Sequence, residues 1–67
     1  MEQELVQEIG PVDGPVTVII ERHGKKAYPI IFSSLFNAVE CATDAKRDPN
    51  VKAVLLKANG REYKCYG

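Results

Sequence analysis

The dipeptide Asn59-Gly60 constrains this chain more than any other feature of its sequence. A two-residue type I′ turn needs positive φ at both central positions, and Asn-Gly is the pair that meets this need most readily. The dipeptide separates residues 51–58 (VKAVLLKA) from residues 61–66 (REYKCY), so a β-hairpin is expected there. With Asn59 and Gly60 at the turn centre, the register follows. Ala58 faces Arg61, Lys57 faces Glu62, Leu56 faces Tyr63, Leu55 faces Lys64, and Val54 faces Cys65. Alternation puts Val54, Leu56, Tyr63 and Cys65 on one face. Ala53, Leu55, Lys57, Glu62, Lys64 and Tyr66 fall on the other.

A second hairpin precedes it. Residues 16–22 (VTVIIER) are rich in β-branched side chains and read as a strand. His23-Gly24-Lys25-Lys26 reads as a turn, and residues 27–32 (AYPIIF) as the returning strand. Pro29 has no N–H to give to a ladder, which puts this strand at a sheet edge, where another chain could add a strand. Between the hairpins, Leu35, Ala38, Val39, Ala42 and Ala45 fall within one arc at helical spacing. Asn37, Glu40, Asp44 and Arg47 lie opposite, with Phe36 and Cys41 on the flanks. Ser33 and Ser34 are N-cap candidates. Lys46 and Arg47 suit the negative end of the helix, and Asp48-Pro49-Asn50 stops it. The expected fold class is α+β: ββαββ, one helix packed on a small antiparallel sheet of two hairpins.

Sixty-seven residues allow one domain. A core this small leaves a thin stability margin, which small domains often widen with disulfides, a metal or a second copy of themselves. One His and two Cys fall short of a structural zinc pattern. Cys41 and Cys65 could form one bridge if the helix crosses the last strand, and they read otherwise as small half-buried hydrophobes. The nine basic and nine acidic residues cancel overall but are unevenly spread. Residues 1–15 hold Glu2, Glu4, Glu8 and Asp13 without Lys or Arg; the remainder is net +4, nine basic residues against five acids. Residues 1–15 are therefore expected to be an acidic N-terminal arm, flexible or loosely docked, ahead of a domain at 16–67. Leu5, Val6 and Ile9 are spaced for a short helix, and Gly10, Pro11, Gly14 and Pro15 break regular structure after it. No apolar run approaches a membrane span, and the N-terminus lacks the pattern of a signal peptide. A cytoplasmic protein with reduced thiols is expected.

Chemistry-bearing patterns are sparse. The glycines are isolated, and none opens a helix after a strand as a phosphate loop would. His23 lies in a turn remote from any serine, and Glu40 with Asp44 lies on the polar helix face. No catalytic residue and no cofactor is expected. The stretch Asp48 to Leu56, followed by Gly60-Arg61 and Cys65-Tyr66-Gly67, resembles the early segment of the crotonase (enoyl-CoA hydratase) family. There the strand and following loop help to build an oxyanion hole. In this chain the Asn59-Gly60 hairpin replaces that loop, and Gly67 is reached short of the repeated turns that bury the site, so no catalytic residue carries over. Across residues 16–66 the layout is similar to small ββαββ proteins of phage and prophage origin, some of which are anti-CRISPR or other host-inhibiting proteins. The shared features are the strand–turn–strand with its Glu21-to-Lys25 turn, the Ala-rich helix and the short closing hairpin. The resemblance implies an inhibitor that binds and occludes a host protein, and it transfers no functional residue.

One helix covers one sheet face, so the other face should meet something else. The expectation is a non-enzymatic protein-binding domain, with a second copy of itself among the partners such a face admits. Ile19, Leu55, Lys64 and Tyr66 are the candidate contacts on the open face, and Arg22, Lys25 and Lys26 those at the first hairpin. The alternative is nucleic-acid binding by basic hairpins, with Tyr28 or Tyr66 stacking on bases.

Overall fold

The computed structural model describes residues 2–67, and side chains from residue 4 onward. The elements run α1 (Glu2–Ile9), β1 (Val16–Arg22), β2 (Tyr28–Phe32), α2 (Leu35–Ala45), β3 (Val51–Ala58) and β4 (Arg61–Tyr66). The four strands form one antiparallel sheet in the order β2-β1-β3-β4. The ββαββ unit expected from the sequence is therefore present. The Pro29 strand lies at the sheet edge, as its missing donor requires.

Local chemistry sets the ends of α2. Ser34 has extended backbone, and its Oγ accepts a hydrogen bond from the Asn37 N–H at 3.5 Å, which satisfies an N–H that the helix cannot pair internally. At the other end the Arg47 and Asp48 N–H groups donate to the Asp44 and Ala45 carbonyls, a tightening of the last turn. Asp48 Oδ1 then accepts from the Asn50 N–H at 2.9 Å, turning the chain into β3. Asn59 (φ 54°) and Gly60 (φ 72°) both adopt the left-handed conformation a type I′ hairpin demands.

The core lies between α2 and one sheet face. Val16, Val18 and Ile20 of β1 meet Val54, Leu56 and Ala58 of β3 beneath Leu35, Ala38, Val39 and Ala42. The small alanines let the helix approach the sheet closely.

Two expectations are corrected. The segment read as a flexible or loosely docked arm contains a helix that packs beside α2, with Ile9 buried in the core and Leu5, Val6 and Val12 against it. Met1 lies outside the described residues. The α1 helix ends at Gly10, which takes φ 72° while its N–H donates to the Val6 carbonyl at 2.9 Å. The linker after it is tied to the second hairpin tip: Asn59 Nδ2 donates to the Pro11 carbonyl at 2.9 Å, and Asn59 Oδ1 accepts from the Asp13 N–H at 3.3 Å. The same Asn thus shapes the turn and anchors the leader.

The second correction concerns register. The four pairs from Ala58↔Arg61 to Leu55↔Lys64 are as the turn dictates, but Val54 pairs with Tyr66 rather than Cys65. A bulge places Cys65 as an extra residue. Since a one-residue slip exchanges the faces, Tyr66 sits across from a residue buried beneath α2 and leaves the open-face row it was assigned to.

Candidate functional site

Both helices pack on the same side of the sheet, so the opposite side is bare. Register defines its rows. One reads Pro29, Ile19, Leu55, Lys64 across β2, β1, β3 and β4; the next reads Ile31, Thr17, Lys57, Glu62. Ile19 and Leu55 are half-buried at the centre, whereas Ile31 is 70% exposed. The apolar part of the face thus spans β2, β1 and the middle of β3.

The other half is charged and internally paired. Lys57 Nζ lies 3.7 Å from Glu62 Oε2. Lys52, the extra residue at a bulge opposite Glu21 and Arg22, reaches Glu21 Oε1 at 3.6 Å. Such exposed pairs stabilise the fold little, on the order of 0–1 kcal/mol. Their effect is to neutralise charge beside the apolar band.

The residues singled out in sequence separate into three places. Ile19 and Leu55 are brought together on the bare face; Lys64 stands beside Leu55 in the register, on edge strand β4, and also lines the cleft against α1 with Glu4 and Glu8. Tyr66, 43% exposed, does not join Ile19 and Leu55. Arg22 belongs to the helix-side row of β1, where its guanidinium stacks over the Tyr28 ring at 5.2 Å. It lines an open groove of about 580 Å³ between α2 and β2, and its Nε is buried without a hydrogen-bond partner. Lys25 and Lys26 are exposed at the tip of the first hairpin. Sequence reasoning missed Pro29 and Ile31 as contacts. Their shared parity in β2 was visible, but it needed the pairing of β2 with β1 to become a face.

The cysteines lie on opposite flanks of α2. Cys41 borders the β2 groove, and Cys65 borders a smaller cleft of about 220 Å³ with Leu5, Thr43 and Lys46. Both are free thiols. Burial pushes both up from the ordinary thiol range; the nearby Asp44 carboxylate adds to this at Cys41, and Lys46 opposes it at Cys65. Among the described residues, no three His, Cys, Asp or Glu side chains converge as metal ligands would, and no helix is long and apolar enough to cross a membrane.

Comparisons with protein-family models, with curated proteins and with solved structures find no match.

Proposed function

We propose that this chain is a non-enzymatic protein-interaction domain that docks on a protein partner through the bare face of its sheet. One observation carries the reading: α1 joins α2 on the side already covered, which leaves Ile19, Leu55, Pro29 and Ile31 contiguous on the other. Isolated exposed apolar side chains are ordinary on a protein surface, whereas a contiguous apolar patch marks a contact site. The layout resemblance to phage inhibitors directs the mode of action toward occlusion of a host protein.

The edges of the sheet serve this purpose less well. Pro29 removes a donor from β2, and the bulge at Cys65 distorts β4. Nucleic-acid binding draws on Arg22, Lys25 and Lys26, but Lys52 and Lys57 on the adjoining face are already paired with carboxylates.

The test is a variant carrying Leu55→Asp and Ile31→Asp. Its circular dichroism should match wild type, while sedimentation and capture of partners from the native host should show lost association. Wild-type levels of association in a folded variant would remove the proposal. A mobility shift of oligonucleotides at low salt, lost steeply as salt rises, would favour the nucleic-acid reading instead.

A further inference from the structure

We infer that the occupant of the bare face is a second copy of this chain, related by a two-fold axis that crosses the strands midway between the two rows. The inference rests on the reading of the bare face as an interaction surface and assigns that face to a second copy, with which a host protein would have to compete. An isologous contact must be complementary to itself under the symmetry operation. An axis across the strands keeps each strand over its own counterpart and exchanges the two rows. Ile31 then lies over the partner copy's Pro29, Thr17 over Ile19 and Lys57 over Leu55. At the far end Glu62 lies over Lys64, and by symmetry Lys64 over Glu62.

This arrangement follows from adjacent rows of the register, Pro29–Ile19–Leu55–Lys64 and Ile31–Thr17–Lys57–Glu62. It puts Ile31 on Pro29 along β2 and the Thr17 methyl group on Ile19 along β1. It generates two ion pairs across the interface at β4. Sheets pack about 10 Å apart, a gap that Glu and Lys side chains bridge together. Lys57 remains tied to its own Glu62 at 3.7 Å, so its methylene stem is what lies over Leu55.

Size fits a modest dimer. Four strands span about 19 Å and six residues about 20 Å, so the pair would withdraw on the order of 1,000 Å² from water, at the lower edge of specific interfaces. A dissociation constant in the micromolar range is expected.

The test is sedimentation velocity on the full chain from about 5 to about 500 µM. Wild type should pass from monomer to dimer over this range. Glu62→Lys and Lys64→Glu should each weaken self-association about tenfold or more, because each places like charges opposite one another. An equimolar mixture of these two variants should recover dimer, since every facing pair is then opposite in sign. Matching urea midpoints for the variants would confirm that the fold is not what changed. Wild type that stays monomeric throughout would overturn the inference and leave the proposed interaction face to be judged by host capture. A mixture that stays monomeric while wild type dimerises would overturn the two-fold arrangement. Dimerisation undiminished by Ile31→Asp would overturn the placement of the dimer contact on this face.

Discussion

The two faces of the sheet are built from the same strands and much the same aliphatic residues, yet they carry different parts of the molecule's work. On the helix side Val16, Val18, Val54 and Leu56 are each 0% exposed. On the bare side Ile19 and Leu55, their neighbours in sequence, are only half-buried. Side-chain chemistry does not distinguish them; what packs over them does. An apolar residue at a position where alternation calls for a polar one therefore reports a surface the isolated fold does not need.

This contrast is most sharply tested by neighbouring leucines. Leu56→Ala opens a cavity beneath α2 and should cost about 2–5 kcal/mol, a large share of the stability of so small a domain. Leu55→Ala removes the same atoms from the bare side and should cost less than about 1 kcal/mol when the chain is dilute enough to be monomeric. Urea denaturation of both variants at low concentration measures the difference. Equal losses would mean that the bare side is as much core as the covered one.

A smaller effect bears on how the covered side is completed. Asn59→Gly keeps a residue that accepts positive φ in the turn but removes both hydrogen bonds to the Pro11–Asp13 linker. The exposed position limits the cost to about 1 kcal/mol. Amide exchange should quicken in α1 while the β3–β4 ladder keeps its protection. Unchanged exchange in α1 would show that Ile9 and its neighbours hold the helix without help from the hairpin.

Much of this was legible in the sequence because local chemistry dictated it. Asn59-Gly60 set a turn and four register pairs, Ser34 started α2, Asp48-Pro49-Asn50 ended it, and Pro29 put its strand at an edge. What escaped was non-local. The spacing of Leu5, Val6 and Ile9 pointed to the short helix α1 but not to its close docking: eight residues are too few for a stable isolated helix, so α1 depends on the burial of Ile9 against a core not yet assembled when the sequence is read. The bulge at Cys65 has no glycine to announce it, and a single inserted residue was enough to move Tyr66 off the candidate face. Arg22 was placed with the hairpin lysines because they are close in sequence, whereas parity along β1 sends it to the helix side, over Tyr28. The bare face itself rested on Ile19 and Leu55, where alternation alone sufficed.

The smallest expected effect locates the margin between the two sides. Cys41 and Cys65 stand on opposite flanks of α2, where helical cover thins, and burial raises the proton affinity of both thiols. A raised value in the folded state means that folding favours the neutral thiol. The corresponding stability is fully present below the unfolded thiol range, about pH 8.5, and is lost as pH rises through the folded values. Other groups also titrate in alkali, so the informative quantity is a difference between proteins. The stability gap between wild type and the Cys41→Ala, Cys65→Ala double variant should shift in wild type's disfavour as pH rises from about 8, as urea midpoints would record. A gap that does not change with pH would mean that water reaches both thiols in the folded chain. The covered side would then end inside the flanks of α2, and less of the sheet would be core than the buried valines imply.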